Sequence, residues 1–268
     1  MSSPPKIRVV IATCVVAAIG IVLANLAAVL LLTVVDPDVP AGELLAGLPG
    51  LIASGLASSI ALGLTVVVAS AGLSPAALRL VPGRESGAAL GVMILGMLGL
   101  GQALDSLMAI TGLGRRGSME TIRAALASAS GPGLFLAVLV IGFAAGVAEE
   151  VFFRGYVQSQ LRARWRPATA ILATSACFGL FHADWIHTPL AFAIGLYLGF
   201  ITELSGSALP AIACHVVNNS IVTVLTAQAG SLAGFWPNLA MLAFTVALFV
   251  SCVLWLRRMV PSSPPHPV

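Results

Sequence analysis

Eight long apolar stretches dominate this 268-residue sequence and restrict it to one class of protein. They cover residues 7–35, 44–73, 88–113, 134–157, 168–183, 188–204, 208–227 and 237–256. Hydrophobic residues make up 59% of the chain, above the roughly 45–50% of soluble domains. The stretches lack the alternation of a β-barrel, so helices must satisfy the backbone polar groups. We predict an all-α polytopic membrane bundle of about eight transmembrane helices, with residues 1–268 as a single integral-membrane domain.

The distribution of Lys and Arg predicts how the bundle is oriented. With a cytoplasmic N-terminus, nine of these residues fall on the inner side, whereas Arg115, Arg116 and Arg123 fall on the outer side. Because positive residues favour the cytoplasmic side, we expect a multi-pass protein of the plasma (cytoplasmic) membrane with both termini in the cytoplasm. The basic residues form no patch for nucleic acid, so we expect no nucleic-acid partner.

Two connecting segments carry expectations of their own. Residues 118–128 have the composition of a short amphipathic helix lying at the outer membrane surface. The Pro-rich segment 260–268 is predicted to be a disordered tail.

Three ionisable residues, Glu149, Glu150 and Arg154, lie inside the fourth apolar stretch. A charged side chain at the centre of a membrane helix costs roughly 2.5–3.5 kcal/mol, so such residues are usually paired and functional. Residues four apart share a helix face, so Glu150 is expected to pair with Arg154 while Glu149 points elsewhere. Glu150 and Arg154 fit a structural ion pair as well as a functional one. For Glu149 a functional role is favoured.

Further polar residues lie in the later apolar stretches. Glu149 and His182 are equidistant from a turn near residues 165–167, so a helical hairpin would place them at one level, with Phe178 walling the pocket. His215 and Asn219 share a face of the seventh stretch. They fit a catalytic site, although such groups also hydrogen-bond neighbouring helices.

These residues form three ordered motifs. They are E-E-x-x-x-R at residues 149–154, F-x-x-x-H at residues 178–182 and H-x-x-x-N at residues 215–219. In this the chain resembles the CPBP family of CAAX-protease and bacteriocin-processing (Abi) intramembrane endopeptidases. The resemblance covers residues 134–225, which we take as the catalytic core.

The resemblance implies peptide hydrolysis within the bilayer. Glu149 and His182 would activate a water molecule, and His215 with Asn219 would stabilise the oxyanion. Glu150 and Arg154 would orient the acidic helix, and Phe178 would support the pocket. The expected partners are the lipid bilayer and a peptide or membrane-protein substrate, which the family's eukaryotic members take in lipidated form.

Three alternatives stay open at this stage. Glu149, His182 and His215 match the ligand types of hydrolytic zinc sites, although no H-E-x-x-H motif is present and we favour the metal-free route. A non-catalytic scaffold or immunity protein would keep the same fold. A transporter would also place acids in the bilayer, with Gln102 and Asp105 adding polarity, but no inverted repeat is apparent.

Overall fold

The chain forms helices joined by turns and loops in the computed structural model, which describes residues 7–230 and 232–259. No strand occurs among those residues. The helices are α1 (Ile7–Val35), α2 (Ala41–Ala46), α3 (Leu48–Ala69), α4 (Gly87–Thr111), α5 (Gly117–Ala127), α6 (Gly131–Arg162), α7 (Pro167–Leu180), α8 (His187–Ser205), α9 (Leu209–Gln228) and α10 (Phe235–Met259). The tail predicted at residues 260–268 lies outside the described residues.

Seven of these helices are long and apolar enough to cross a membrane, namely α1, α3, α4, α6, α8, α9 and α10. The predicted all-α membrane bundle of about eight helices is therefore confirmed. The eighth apolar helix, α7, has only 14 residues, against ~20 needed to span the hydrocarbon core. It ends at Leu180, so His182 lies in the turn that follows and not on the helix as predicted.

Helix α6 is not a uniform α-helix, which the sequence did not indicate. Two π-helical segments, Val138–Ala144 and Val151–Gln158, flank the α-helical segment Ala145–Glu150 that carries both glutamates. A π-helical turn contains an extra residue and is frequent at functional sites. The two segments therefore set the rotation of Glu149 and Glu150 relative to the rest of α6.

Small residues bring α6 close to α9, the helix that carries the third motif. A Cβ atom on Gly142 would lie 3.1 Å from the Cα of Ser220, and one on Gly146 would lie 3.0 Å from a methyl group of Val216. Glycine at these positions lets the two backbones approach, as is common between membrane helices. The close approach places the glutamates of α6 beside His215.

A charged cluster fixes the C-terminal end of α6, beyond the segment that carries the two glutamates. Glu203 of α8 accepts hydrogen bonds from Arg79 at 2.6 Å, from Arg162 at 2.7 Å and from Gln158 at 3.0 Å. These bonds join α6, α8 and the connection between α3 and α4. Because several donors surround one carboxylate, this cluster resists the rotation of α6.

The predicted amphipathic helix spans Gly117–Ala127 as α5 and is held at two points. Arg123 forms an ion pair with Asp105 of α4. The carboxylate of Asp184, between α7 and α8, accepts hydrogen bonds from the backbone amides of Ser118, Ile186 and His187. These contacts tie α5 to α4 and to the turn between α7 and α8.

Candidate active site

One cavity of about 870 Å³ contains the four residues predicted to be catalytic. Glu149, His182, His215 and Asn219 all line it, although they come from α6, the turn after α7, and α9. Phe178 forms part of its wall, as predicted. The structure thus brings together the side chains that the three motifs contribute.

The pair formed by Glu150 and Arg154 lies behind the cavity wall. The expected pairing at a spacing of four is present, with a distance of 2.7 Å between Arg154 Nη1 and Glu150 Oε1, and both side chains are 0% exposed. Arg154 Nη2 also donates to the carbonyl oxygen of Gly195 at 3.1 Å, and the guanidinium lies 4.6 Å from the ring centroid of Phe178. These contacts tie α6 to α8 and offset part of the loss of hydration, since Glu150 Oε2 and Arg154 Nε are buried without a hydrogen-bond partner among the described residues.

His215 is bonded to Glu150, a contact that the sequence did not predict. Its Nδ1 lies 2.8 Å from Glu150 Oε1. Because a carboxylate oxygen held by Arg154 acts as an acceptor, Nδ1 of His215 donates the proton in this bond. The ring is thereby oriented with Nε2 toward the cavity, where it lies 3.8 Å from Oε2 of Glu149.

Glu149 differs from its neighbour in being accessible from the cavity. Its side chain is 23% exposed, and 3.8 Å separates its Oε2 from His215 Nε2. That separation is too long for a direct hydrogen bond. One water oxygen can lie within ~2.8 Å of both atoms, so the geometry suits a shared water molecule.

His182 is oriented by the backbone of its own motif. Its Nδ1 lies 2.9 Å from the carbonyl oxygen of Phe178, which can only accept, so Nδ1 is the donor. In the neutral ring Nε2 then carries a free lone pair. The ring also lies 4.4 Å, centroid to centroid, from that of His187, which lines the cavity too. Sequence analysis missed His187, because a single histidine at the start of α8 belongs to none of the motifs.

Asn219 is held by two weaker bonds. Its Nδ2 donates to the carbonyl oxygen of Ile141 at 3.4 Å, within the first π-helical segment of α6. Asn218 Nδ2 donates to Asn219 Oδ1 at 3.3 Å. The amide is therefore oriented with its nitrogen toward α6.

The same cavity has a second polar end that the motifs do not include. Asp105 and Arg123 form an ion pair there, with side chains 34% and 29% exposed, and Gln102 lies beside them on the cavity wall. From the sequence, Asp105 is expected only to bond a neighbouring helix or to serve a transporter, and Arg123 is expected in an outer loop.

The zinc alternative requires Glu149, His182 and His215 to point at a common centre. Within residues 7–230 and 232–259, no three His, Cys, Asp or Glu side chains are arranged to hold a metal ion. The Nδ1 atoms of His182 and His215 are both hydrogen-bonded within the protein, which leaves Nε2 of each ring without such a bond among the described residues, as in histidines that bind metal through Nε2.

Comparison with known proteins identifies the segment that carries these residues. Residues 131–221 match the family model described as type II CAAX prenyl endopeptidase Rce1-like. Over this segment the chain is similar to the CAAX-protease family. All three motifs fall within the matched segment, and α1 to α5 precede it. No curated protein and no solved structure matches the chain.

The match and the helices together indicate the general character of the protein. The seven apolar helices are those of a multi-pass membrane protein, and the match over residues 131–221 supports intramembrane CAAX-type endopeptidase activity in general.

Proposed function

We propose that this protein hydrolyses peptide bonds within the membrane by means of a water molecule activated by Glu149 and His182. The observation that carries the proposal is the accessible carboxylate of Glu149, which shares one cavity with His182 and lies 3.8 Å from His215 Nε2. Peptide hydrolysis requires a base near such a water, and carboxylates and imidazoles are the usual bases.

In the first step Glu149 takes one proton from the water while the water oxygen attacks the carbonyl carbon of the substrate. Nε2 of His182 accepts a hydrogen bond from the second proton and so directs the oxygen lone pair at the carbon. The product is a tetrahedral intermediate with a negative oxygen, and Glu149 is then a neutral carboxylic acid.

His215 and Asn219 are the donors for that negative oxygen. Glu150 carries negative charge beside Nδ1 of His215, which favours a doubly protonated ring whose Nε2–H can donate. The second N–H of Asn219 Nδ2 is the other donor. When the C–N bond breaks, Glu149 returns its proton to the leaving amine, so water is divided between the new carboxylic acid and the new amine.

The cavity also bears on the substrate class. Its walls are mainly apolar side chains, and its volume of about 870 Å³ suits an extended segment of a few residues. We propose a membrane-bound peptide or protein substrate, including one that is lipidated. The further proposals are a single membrane domain with its catalytic core at residues 134–225, in the plasma membrane, with both termini cytoplasmic.

The proposal is tested with purified protein in lipid nanodiscs and a fluorogenic peptide that ends in a farnesylated cysteine followed by three residues. We expect the Glu149→Gln variant to lose about 10²- to 10⁴-fold in kcat, because a general base contributes that much. Glu120→Gln removes a similar carboxylate from the exposed face of α5 and serves as the matched control. Undiminished cleavage by Glu149→Gln would remove Glu149 from the mechanism, and an inactive wild type would favour a non-catalytic scaffold.

The metal-free route has a separate test. Metal content measured on the active protein, together with cleavage in the presence of 1,10-phenanthroline, is expected to show no stoichiometric zinc and no inhibition. Stoichiometric zinc whose removal abolishes cleavage would refute this route.

A further inference from the structure

The ion pair between Asp105 and Arg123 has no role in the proposed chemistry, yet both residues line the active-site cavity. Each side chain is about one-third exposed, in contrast to the fully buried pair formed by Glu150 and Arg154. A charged pair that faces a largely apolar cavity points to a charged group on the ligand, because an apolar ligand alone would leave it poorly solvated.

The position of this pair along the cavity follows from the packing of α4 against α9. Both helices begin at the same end of the bundle, since the connection before α4 bonds the segment before α9 through Arg79 and Ala208. Gly101 of α4 lies against Asn218 of α9, because a Cβ on Gly101 would be 2.5 Å from Asn218 Oδ1. The two helices therefore run parallel, with these residues at one level.

The distance between the charged pair and His215 along the cavity follows from counting residues from the contact between Gly101 and Asn218. Asp105 is four residues beyond Gly101, whereas His215 is three residues before Asn218. At ~1.5 Å per residue, the charged pair lies about 10 Å farther along the cavity than His215. An extended peptide spans ~3.3–3.6 Å per residue, so this distance corresponds to three residues.

We infer that Arg123 binds the free C-terminal carboxylate of the substrate, three residues after the bond that is cleaved. This rests on the proposed function, because it places the scissile carbonyl beside Glu149. In a C-a-a-X sequence three residues follow the cysteine, and the last of them carries the C-terminal carboxylate, which agrees with this spacing. Arg123 is thus a specificity residue, and a guanidinium suits it because its planar N–H groups match a carboxylate.

Asp105 acts on Arg123 in two opposing ways. It holds the guanidinium at the cavity wall before substrate binds, and it competes with the substrate carboxylate for the same N–H groups. Because the pair is partly exposed, the guanidinium can bond both carboxylates or exchange one for the other at low cost. Removing the charge of Asp105 is therefore expected to strengthen carboxylate binding, whereas removing that of Arg123 weakens it.

The test measures binding, so that it does not depend on turnover. Full-length Glu149→Gln protein in nanodiscs is titrated with a fluorescent peptide that has a farnesylated cysteine and three further residues, ending in a free carboxylate or in an amide. We expect the carboxylate form to bind roughly 10- to 100-fold more tightly, as for a hydrogen bond to a charged group. Adding Arg123→Gln should abolish this preference, and adding Asp105→Asn should preserve or increase it. Arg115→Gln, a charge loss at an exposed residue just before α5, should change nothing.

Two outcomes would overturn the inference. If Arg123→Gln weakens both peptides equally and keeps the preference, the ion pair only fastens α5 to α4. If neither peptide binds, or both bind equally well to the parent protein, no carboxylate is recognised.

A further arm varies the length of the peptide after the cysteine. Tails of two or four residues should lose the preference for the carboxylate, and a preference independent of length would also contradict the inference. Failure of the proposed function looks different: wild type would cleave neither peptide, while the binding preference and its loss in Arg123→Gln would remain.

Discussion

The two ends of the active-site cavity hold their charges in different ways. At one end Glu150 and Arg154 are fully buried, bonded to each other and to a histidine and a backbone carbonyl. At the other end Asp105 and Arg123 bond each other and are each about one-third exposed. The difference follows from burial. The buried pair holds α6, α8 and His215 in a fixed arrangement, whereas the partly exposed pair can exchange partners.

The largest effect on stability is expected from breaking the buried pair. Arg154→Met leaves the carboxylate of Glu150 buried without its main partner, which should cost about 3–5 kcal/mol of unfolding free energy. Reversible unfolding in mixed detergent–SDS micelles, followed by circular dichroism, measures this loss. The double variant Glu150→Gln/Arg154→Met should recover part of the stability but no activity, because His215 loses its charged partner. A single variant as stable as wild type would contradict the account.

The same measurement on the exposed pair should give a much smaller change. Arg123→Gln is expected to cost no more than about 1 kcal/mol, because partly exposed ion pairs contribute little to stability. Comparable losses at Arg123 and Arg154 would remove the distinction between the two ends.

The smallest effect is expected at Asp184, in the turn between α7 and α8, whose carboxylate binds the first residues of α5. Backbone hydrogen bonds, that from His187 above all, hold the pKa of Asp184 below its ordinary value. A lowered pKa adds stability above the unfolded value of ~3.9, and this contribution is lost as the pH falls through the lower, folded value. Asp184→Asn should therefore reduce the loss of stability between pH 6 and pH 3. We expect a difference under about 1 kcal/mol, because the carboxylate is well hydrated. An identical pH dependence in the two proteins would show that Asp184 contributes nothing.

Most of the fold could be predicted from the sequence because membrane helices are specified by length and polarity. The first apolar stretch, residues 7–35, coincides with α1, and the other long helices begin and end within a few residues of their predicted bounds. The second stretch is interrupted at Gly47, which separates α2 from α3 and was not predicted. Helix α7 ends at Leu180, before its predicted bound at residue 183, because the chain turns there, with Ala183 in the left-handed region at a φ of +49°. Hydropathy does not detect the start of such a turn, since Phe181 and Ala183 are as apolar as the helix.

The site was only partly predictable, because the sequence indicates contacts within one helix but not contacts between helices. Spacing within one helix predicted the pairing of Glu150 with Arg154, and this contact is present. The bond between Glu150 and His215 depends on how α6 and α9 are rotated relative to each other, and the π-helical segments of α6 set that rotation. The pairing of Arg123 with Asp105 depends on where α5 is placed relative to α4. Neither the relative rotation of α6 and α9 nor the placement of α5 can be predicted from a periodicity in the sequence.

The central claim is that Glu149 and His182 act on one water molecule, and a double-mutant cycle tests it most directly. kcat/KM for the farnesylated peptide would be measured for wild type, Glu149→Gln, His182→Ala and the double variant. If both residues serve one water, either single change removes its activation, so the double variant should be about as slow as the slower single variant. Losses that multiply, with each residue contributing its full factor in the absence of the other, would contradict the claim.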